Sequence, residues 1–247
     1  MKNINLKLKI SIFPFSIFLF TTILFSIFYF LNSNIVNAAN QEFLVSWQAD
    51  SYAPSWYQGK ILPTKDTNIN VRFDLINNGK IVDLSKNKIR WYVNDKLIIN
   101  ENSGLGIKTF NTVISDYPGQ ETEIRISIFD YNGATLDKIL DKIIRIPIVN
   151  PEVVITTPYF GNFVSVGENL FRAIPFFFNI NGDLQNLSVN WSVNNNQQEG
   201  YFINPWQLKL NVDSRTSAGT SLFVGIKIQN IINAIETASK NINLTVK

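Results

Sequence analysis

The sequence predicts an all-β chain: two tandem domains of the sandwich or barrel type, set behind one N-terminal hydrophobic helix. Three observations carry this. After residue 40, apolar and polar residues alternate with period two in run after run, the pattern of a half-buried antiparallel strand. Clusters of Asn, Gly and Pro punctuate those runs. A stretch of the first half returns 100 residues later.

The N-terminal segment comes first. Lys2, Lys7 and Lys9 precede Ile10–Leu31, a charge-free run of Ile, Leu, Phe, Ser and Thr holding only Pro14. Roughly 20 apolar residues in a helix cross the hydrocarbon core of a bilayer. Positive charge ahead of the run keeps the N-terminus inside and sends the remainder across. Val36-Asn37-Ala38 places small residues where a signal peptidase cuts, whereas the run exceeds the roughly 7–15 residues of a signal core. Residues 1–40 are therefore expected to be a signal peptide cleaved near Ala38 or an uncleaved membrane anchor through residues 10–31. Either way the body is exported. No cysteine follows the run, which excludes a lipoprotein signal.

Six runs define the body: Val71–Leu75, Ile89–Val93, Ile124–Ile128, Ile144–Ile148, Leu208–Val212 and Ile242–Val246. β-Branched and aromatic residues dominate them. Asn77-Asn78-Gly79, Asn94-Asp95, Tyr117-Pro118-Gly119, Asn132-Gly133 and Asn181-Gly182 supply turns, since Asn and Gly accept the positive φ angles of tight hairpins. Strands recurring at about 8–12 residues fit a sandwich or a barrel. Leu136–Ile143 has like residues four apart and reads as the lead-in to a strand.

Ile89-Arg90-Trp91-Tyr92-Val93-Asn94 returns as Val189-Asn190-Trp191-Ser192-Val193-Asn194. At the same offset Phe110-Asn111 meets Leu210-Asn211, Gly119 meets Gly219, and Ile126-Ser127-Ile128 meets Ile226-Lys227-Ile228. Pro54–Gly59 parallels Pro158–Gly161 after a small change in spacing. So long a period means tandem domains and not a solenoid, whose repeats run about 20–50 residues. The division falls at Ile148–Glu152, giving domains 41–149 and 150–247, with Pro151 stiffening the link. By the alternation, Trp91 and Trp191 point into the core.

Units of about 100 residues with a Trp in an early-middle strand and a long final hairpin resemble bacterial immunoglobulin-like domains, a broad group that includes PKD-like and fibronectin-III-like modules. The resemblance implies two tandem immunoglobulin-like β-sandwiches, each with its Trp packed between the sheets. The bridging cysteines of antibody domains are missing. Ser115-Asp116-Tyr117 resembles a tyrosine corner, with Ser217 at the matching place in the second unit. Such a fold implies a location outside the cytoplasm and no particular activity.

Composition narrows the chemistry. With no cysteine and no histidine, disulfides, thiol nucleophiles, ordinary zinc sites and a Ser-His-Asp triad are all excluded. Three of the 22 basic residues lie in the first ten, and all 19 acidic residues lie at or after Glu42, so the body is electrically neutral. It lacks the cation excess of a nucleic-acid binder. Asp137 and Asp141 alternate with Lys138 and Lys142 as on a solvated face, and no acidic pair stands out as a glycosidase centre. Asp130-Tyr131-Asn132-Gly133 lacks the spaced acids of a calcium loop, and Gly104-Leu105-Gly106 is no phosphate loop. No metal, cofactor or catalytic residue is expected.

What remains is aromatic. Tyr52, Trp56 and Tyr57 lie in a loop after the first strand, and Tyr159 and Phe160 lie at the matching place in the second unit. Such rings can bind a sugar or peptide, or cap the sandwich ends; their recurrence favours capping. Trp206 fits either a strand start or a loop. The expected function is non-enzymatic: a structural, adhesive or protein-interaction role in the cell envelope, with another envelope protein or cell-wall glycan as partner. Alternatives are a carbohydrate-binding module using the Trp56/Tyr57 loop and a periplasmic chaperone-like assembly factor.

Overall fold

The computed structural model describes residues 41–131, 139–198 and 204–247. The expected N-terminal helix, the expected cleavage site near Ala38, the expected Asn132-Gly133 turn and the start of the Leu136–Ile143 segment lie outside these residues. Among the described residues no helix is long and apolar enough to cross a membrane.

Among the described residues sixteen strands form four sheets. The first eight are β1 (Gln41–Ala49), β2 (Asn68–Asn77), β3 (Lys80–Ile81), β4 (Lys88–Val93), β5 (Lys96–Ile99), β6 (Thr109–Val113), β7 (Glu121–Phe129) and β8 (Leu140–Pro147). One sheet runs β1-β2-β3 with β6 also on β2, and the opposing sheet runs β5-β4-β7-β8. Next come β9 (Glu152–Thr156), β10 (Phe163–Val164), β11 (Gly167–Phe176), β12 (Leu187–Val193), β13 (Asn196–Gln197), β14 (Gln207–Val212), β15 (Ser221–Asn230) and β16 (Thr237–Val246). They form the sheets β14-β11-β9 and β10-β16-β15-β12-β13. In the first half the chain crosses to the opposite sheet after β3 and returns once, as β6; in the second it crosses first as the short β10 and returns as β11 and again as β14. This is the Greek-key wiring of immunoglobulin-type sandwiches.

Each half closes on its own buried cluster. Val71, Phe73, Leu75, Trp91, Ile124 and Ile126 belong to the first, and Phe171, Phe178, Trp191, Val224, Ile226 and Leu244 to the second. Trp91 is 0% exposed and Trp191 1%. Burying so large a ring strands its N–H unless a partner is supplied. Trp91 Nε1 donates to the Ile107 carbonyl at 2.9 Å, and Trp191 Nε1 to the Pro205 carbonyl at 3.0 Å. Trp91 pairs across the sheet with Ile126, and Trp191 with Ile226.

The internal repeat extends to single hydrogen bonds. Asn94 and Asn194 both take positive φ with the residue that follows, as a two-residue hairpin turn requires. Their Oδ1 atoms accept from the Glu123 and Phe223 amides, both at 2.9 Å. Gly119 and Gly219, at φ 85° and 88°, donate to the Ile148 and Val246 carbonyls. The offset drops to 98 in the last strand, where Ile126 pairs with Lys142 but Ile226 with Lys240, and also in β14. Phe110 pairs with Val71, whereas Phe171, the counterpart of Val71, pairs with Leu208. The counterpart of Phe110 is thus Leu208 and not Leu210. The chain after Trp191 is two residues shorter, and an even shift keeps the same face buried.

A surface pair gives a test at acid pH. Glu101 accepts from Arg90 Nε at 2.8 Å and Nη2 at 2.6 Å. The guanidinium hydrogen bonds hold the Glu101 carboxyl at about 2, against an ordinary value of 4.5, and raise that of Arg90. A folded-state value below the unfolded one gives stability that is present above pH 4.5 and lost as pH falls toward 2. The pair is solvent-accessible, so its share of total stability is small. An NMR titration of the Glu101 carboxyl carbon should show a midpoint near 2, and Arg90→Ala should move it back toward 4.5.

Candidate interaction surface

The two sandwiches meet end to end, and the contact is built from the β1–β2 loop of the first and the β11–β12 and β15–β16 loops of the second. Tyr52 and the Phe177–Phe178 backbone form a two-bond bridge: Tyr52 N donates to the Phe178 carbonyl at 2.7 Å, and Phe177 N donates to the Tyr52 carbonyl at 2.6 Å. Phe177 adopts φ 63°, a left-handed conformation that is strained for a bulky side chain and persists only where surroundings fix it. Here the fixing contact is the neighbouring sandwich. Burial at the seam raises the Tyr52 phenol above its ordinary value.

Glu236 is the electrostatic centre of the seam. It is buried, and its Oε1 accepts from the Thr64 hydroxyl at 2.9 Å and the Asn179 amide at 2.7 Å. Its Oε2 accepts from Asn230 Nδ2 at 2.6 Å. Three donors satisfy a charge that would otherwise be costly to bury. Asn179 Nδ2 adds a bond to the Asp66 carbonyl at 2.9 Å.

The aromatic loop candidates separate. Tyr57 packs edge-on against Phe176 and Phe177, with centroids at 5.4 and 6.1 Å, and Trp56 meets Phe176 edge-on at 6.1 Å while remaining 62% exposed. With Tyr52 they belong to the seam. Lys60 returns the loop to β1: its ammonium sits 3.9 Å over the Trp47 ring and donates to the Trp47 carbonyl, and burial lowers its pKa. Tyr57→Ala should cost about 1–3 kcal/mol and Trp56→Ala about 1 or less, read as separate shifts in thermal unfolding.

Tyr159 and Phe160 do not occupy the matching place. Strand β1 pairs with β2 from Asn77 to Ile69, so its loop leaves at the end of the sandwich. Strand β9 pairs only with Phe176–Arg172 of β11, and the chain then crosses to lie parallel to β16 as β10. The Tyr159 loop is this lateral crossover and faces no second sandwich. Tyr159 stacks on Phe163 at 5.3 Å and its hydroxyl lies 2.6 Å from Ser165 Oγ, while Phe160 is fully exposed.

Three further sequence readings are placed by the structure, the first as a correction. Tyr117 is no tyrosine corner: it is 61% exposed with the Lys65 ammonium 4.0 Å over its ring. Trp206, between turn and strand β14, packs part-buried against the second core. Asp130 lies at a turn with φ 56° and pairs with Lys88 at 3.2 Å. No group of three or more acidic side chains suited to a metal ion occurs among the described residues.

The surface that sequence reading missed is aliphatic. The β15–β16 loop exposes Ile231 by 61%, Ile232 by 75% and Ile235 by 86%. Beside it a cavity of about 150 Å³ opens between the sandwiches, lined by Lys65, Tyr117, Pro118, Asn150, Pro151 and Ile235 among others. Soluble domains seldom expose contiguous apolar patches without a use for them. The available signal was three isoleucines in a link between strands, where turn-forming polar residues are the rule.

No family model matches the chain, and no curated protein matches it in sequence. Solved structures do. The three N-terminal domains of the outer capsid protein Hoc of bacteriophage RB49 match at 10% identity and TM-score 0.39, over 83% of this chain and 59% of that one. The D1–D4 ectodomain fragment of ICAM-5 matches at 7% and 0.29, over 83% and 53%. The Bacteroides ovatus protein SGBP-B matches at 14% and 0.22, over 82% and 47%. This chain therefore spans about half of each. The fold assignment rests on the strand order and the two cores described above.

Proposed function

We propose that this chain is a non-enzymatic, exported cell-envelope protein whose two immunoglobulin-like sandwiches form a stiff spacer carrying a protein-binding surface at their junction. The observation that carries this reading is the exposed Ile231/Ile232/Ile235 loop, held in place by the Glu236 network. Three aliphatic side chains kept in water on an anchored loop cost free energy that a partner's surface recovers on binding. The neutral body and the seam of satisfied hydrogen bonds support a protein partner over nucleic acid. Residues 10–31 act as a membrane anchor unless cleaved near Ala38; N-terminal sequencing of the mature protein decides, a start at Ala39 giving the secreted form.

The surface is tested by the triple variant Ile231→Asp, Ile232→Asp, Ile235→Asp. Because these positions are exposed, the unfolding midpoint should stay close to that of the parent, within about 0.5 kcal/mol per site. Site-specific crosslinking from this loop in intact cells should yield one dominant envelope-protein adduct that the triple variant loses. An adduct unchanged by the triple variant would remove the reading.

A further inference from the structure

We infer that β1 of the first sandwich is a strand-addition site: its open edge takes an extended segment of a protein partner with apolar side chains at alternate positions. This surface lies toward the start of β1, away from the junction, and does not depend on the isoleucine loop. Among the described residues β1 pairs with β2 alone. Continuing that register, the Asp50 amide donates to the Asn68 carbonyl at 3.0 Å. Even-numbered residues of β1 therefore bond to β2, and odd-numbered ones turn their N–H and C=O outward. The Trp47 carbonyl, one of the outward groups, accepts from the Lys60 ammonium. The main-chain groups of Phe43 and Val45 face the open edge with no partner among the described residues. Most other edges are short or blunted. Strands β3, β10 and β13 have two residues each, and β8 carries Lys142, Arg145 and Pro147. Strand β1 has nine residues, no proline or glycine, and Glu42 as its one charge. A long apolar edge without such protection is a template for another strand.

The second sandwich shows the kind of occupant its own flank takes. There β10, an extended piece of the chain, runs parallel to the last strand β16 and buries Val164 completely. Thr245 N donates to the Asn162 carbonyl and Lys247 N to the Val164 carbonyl, both at 2.9 Å. At the offset of 98 their counterparts beside β8 are Pro147, which has no N–H, and Val149, which donates to the Pro63 carbonyl at 3.0 Å. The chain thus closes the flank of the first sandwich beside Val149 and not further along. There Phe43 and Val45 of β1 and Ile144 of β8 stay part-buried, whereas Val153 and Ile155 of β9 are 6% and 9% exposed. A polypeptide main chain matches the outward donors and acceptors of Phe43 and Val45, and its inward side chains would meet the apolar groups left uncovered. An antiparallel second copy of β1 would point the two molecules in opposite directions, which chains anchored in one membrane through residues 10–31 do not permit. A strand from a different protein has no such restriction.

The test selects a display library of short random peptides on the full-length chain held in detergent micelles, and the enriched peptides are then synthesised. Their apolar residues should alternate, and bound peptide should slow amide exchange at Phe43 and Val45 about tenfold or more. N-Methylation of the peptide amides on the pairing edge should abolish binding. Val45→Pro removes one outward donor and no bond to β2, so it should weaken binding about tenfold with an unfolding curve close to the parent's. The methylated peptides probe the same bonds on the unaltered protein, so the test survives a Val45→Pro chain that fails to fold. The triple variant Ile231→Asp, Ile232→Asp, Ile235→Asp should bind these peptides as the parent does. Binding that survives N-methylation, or no enrichment at all, would overturn the proposal. Binding lost only in the triple variant would overturn it and leave the junction surface standing. Phe43 and Val45 amides protected in the free chain at every concentration would show that the chain covers its own edge. Protection that rises with chain concentration would assign the edge to a second copy, and either result would overturn the proposal.

Discussion

Trp191→Ala should destabilise the second sandwich while leaving the stability of the first nearly unchanged. Removing a fully buried Trp costs about 3–5 kcal/mol through lost transfer energy and the cavity left behind. The Pro205 carbonyl also loses the indole donor at 3.0 Å. Because the two cores share no residue, the loss falls on one body. A denaturant titration by circular dichroism should then show two transitions, the earlier one belonging to the second sandwich. Trp91→Ala should mirror this, with a cost at the upper end, since Trp91 also stacks on Phe110 at 5.2 Å and meets Phe73 at 5.6 Å. Merged transitions in both variants would show that the sandwiches fold as one unit.

Glu236→Ala should have the second-largest effect and a different character. It strands the Thr64 hydroxyl, the Asn179 amide and Asn230 Nδ2 inside a seam that water enters poorly. Bonds to a charged group contribute about 1.5–3 kcal/mol each and are not additive when they share a partner, so a loss of about 3 kcal/mol is expected. Only one of the three donors lies in the first sandwich, so most of that loss destabilises the β15–β16 loop. The bond from Thr64 is the part that fixes the angle between the bodies. Amide exchange in Asn230–Glu236 should speed up, and small-angle scattering should show a broader distribution of end-to-end distances. Glu236→Gln should be intermediate, because it keeps one acceptor oxygen and turns the other into a donor facing donors. Unchanged exchange in the Ala variant would show that the loop's backbone bonds, from Asn230 N to Glu236 and from Ile231 N to Asn186, hold it without the carboxylate.

The strands were legible because they are half-buried: alternation is written into any strand with one wet face, and all six runs lie in or at the ends of strands. The Asn-led hairpins were legible because positive φ restricts the residue choice, as at Asn94-Asp95 and Asn194-Asn195. The two tryptophans were legible from the same alternation. The seam was not. Thr64 and Glu236 are 172 residues apart, and no local pattern couples them. Tyr57 carried no sign that its partners would be Phe176 and Phe177. The mismatch of the Tyr52 and Tyr159 loops was hidden because a strand's length fixes where its loop emerges, and β9 is four residues shorter than β1. Ile231, Ile232 and Ile235 were invisible as a surface because apolar residues near strands read as core by default. Only the fold shows that their side chains stay exposed in the β15–β16 loop.

The account stands on two sandwiches, each closed around its own tryptophan and bonded end to end. Hydrogen exchange of the five indole N–H groups, followed by NMR on the full chain, tests this directly. Trp91 and Trp191 should exchange only through unfolding of their own sandwich, slower than Trp56 by orders of magnitude, and each should keep its protection when the tryptophan of the other body is replaced by Ala. Fast exchange at either buried indole, at the rate of an exposed one, would contradict it.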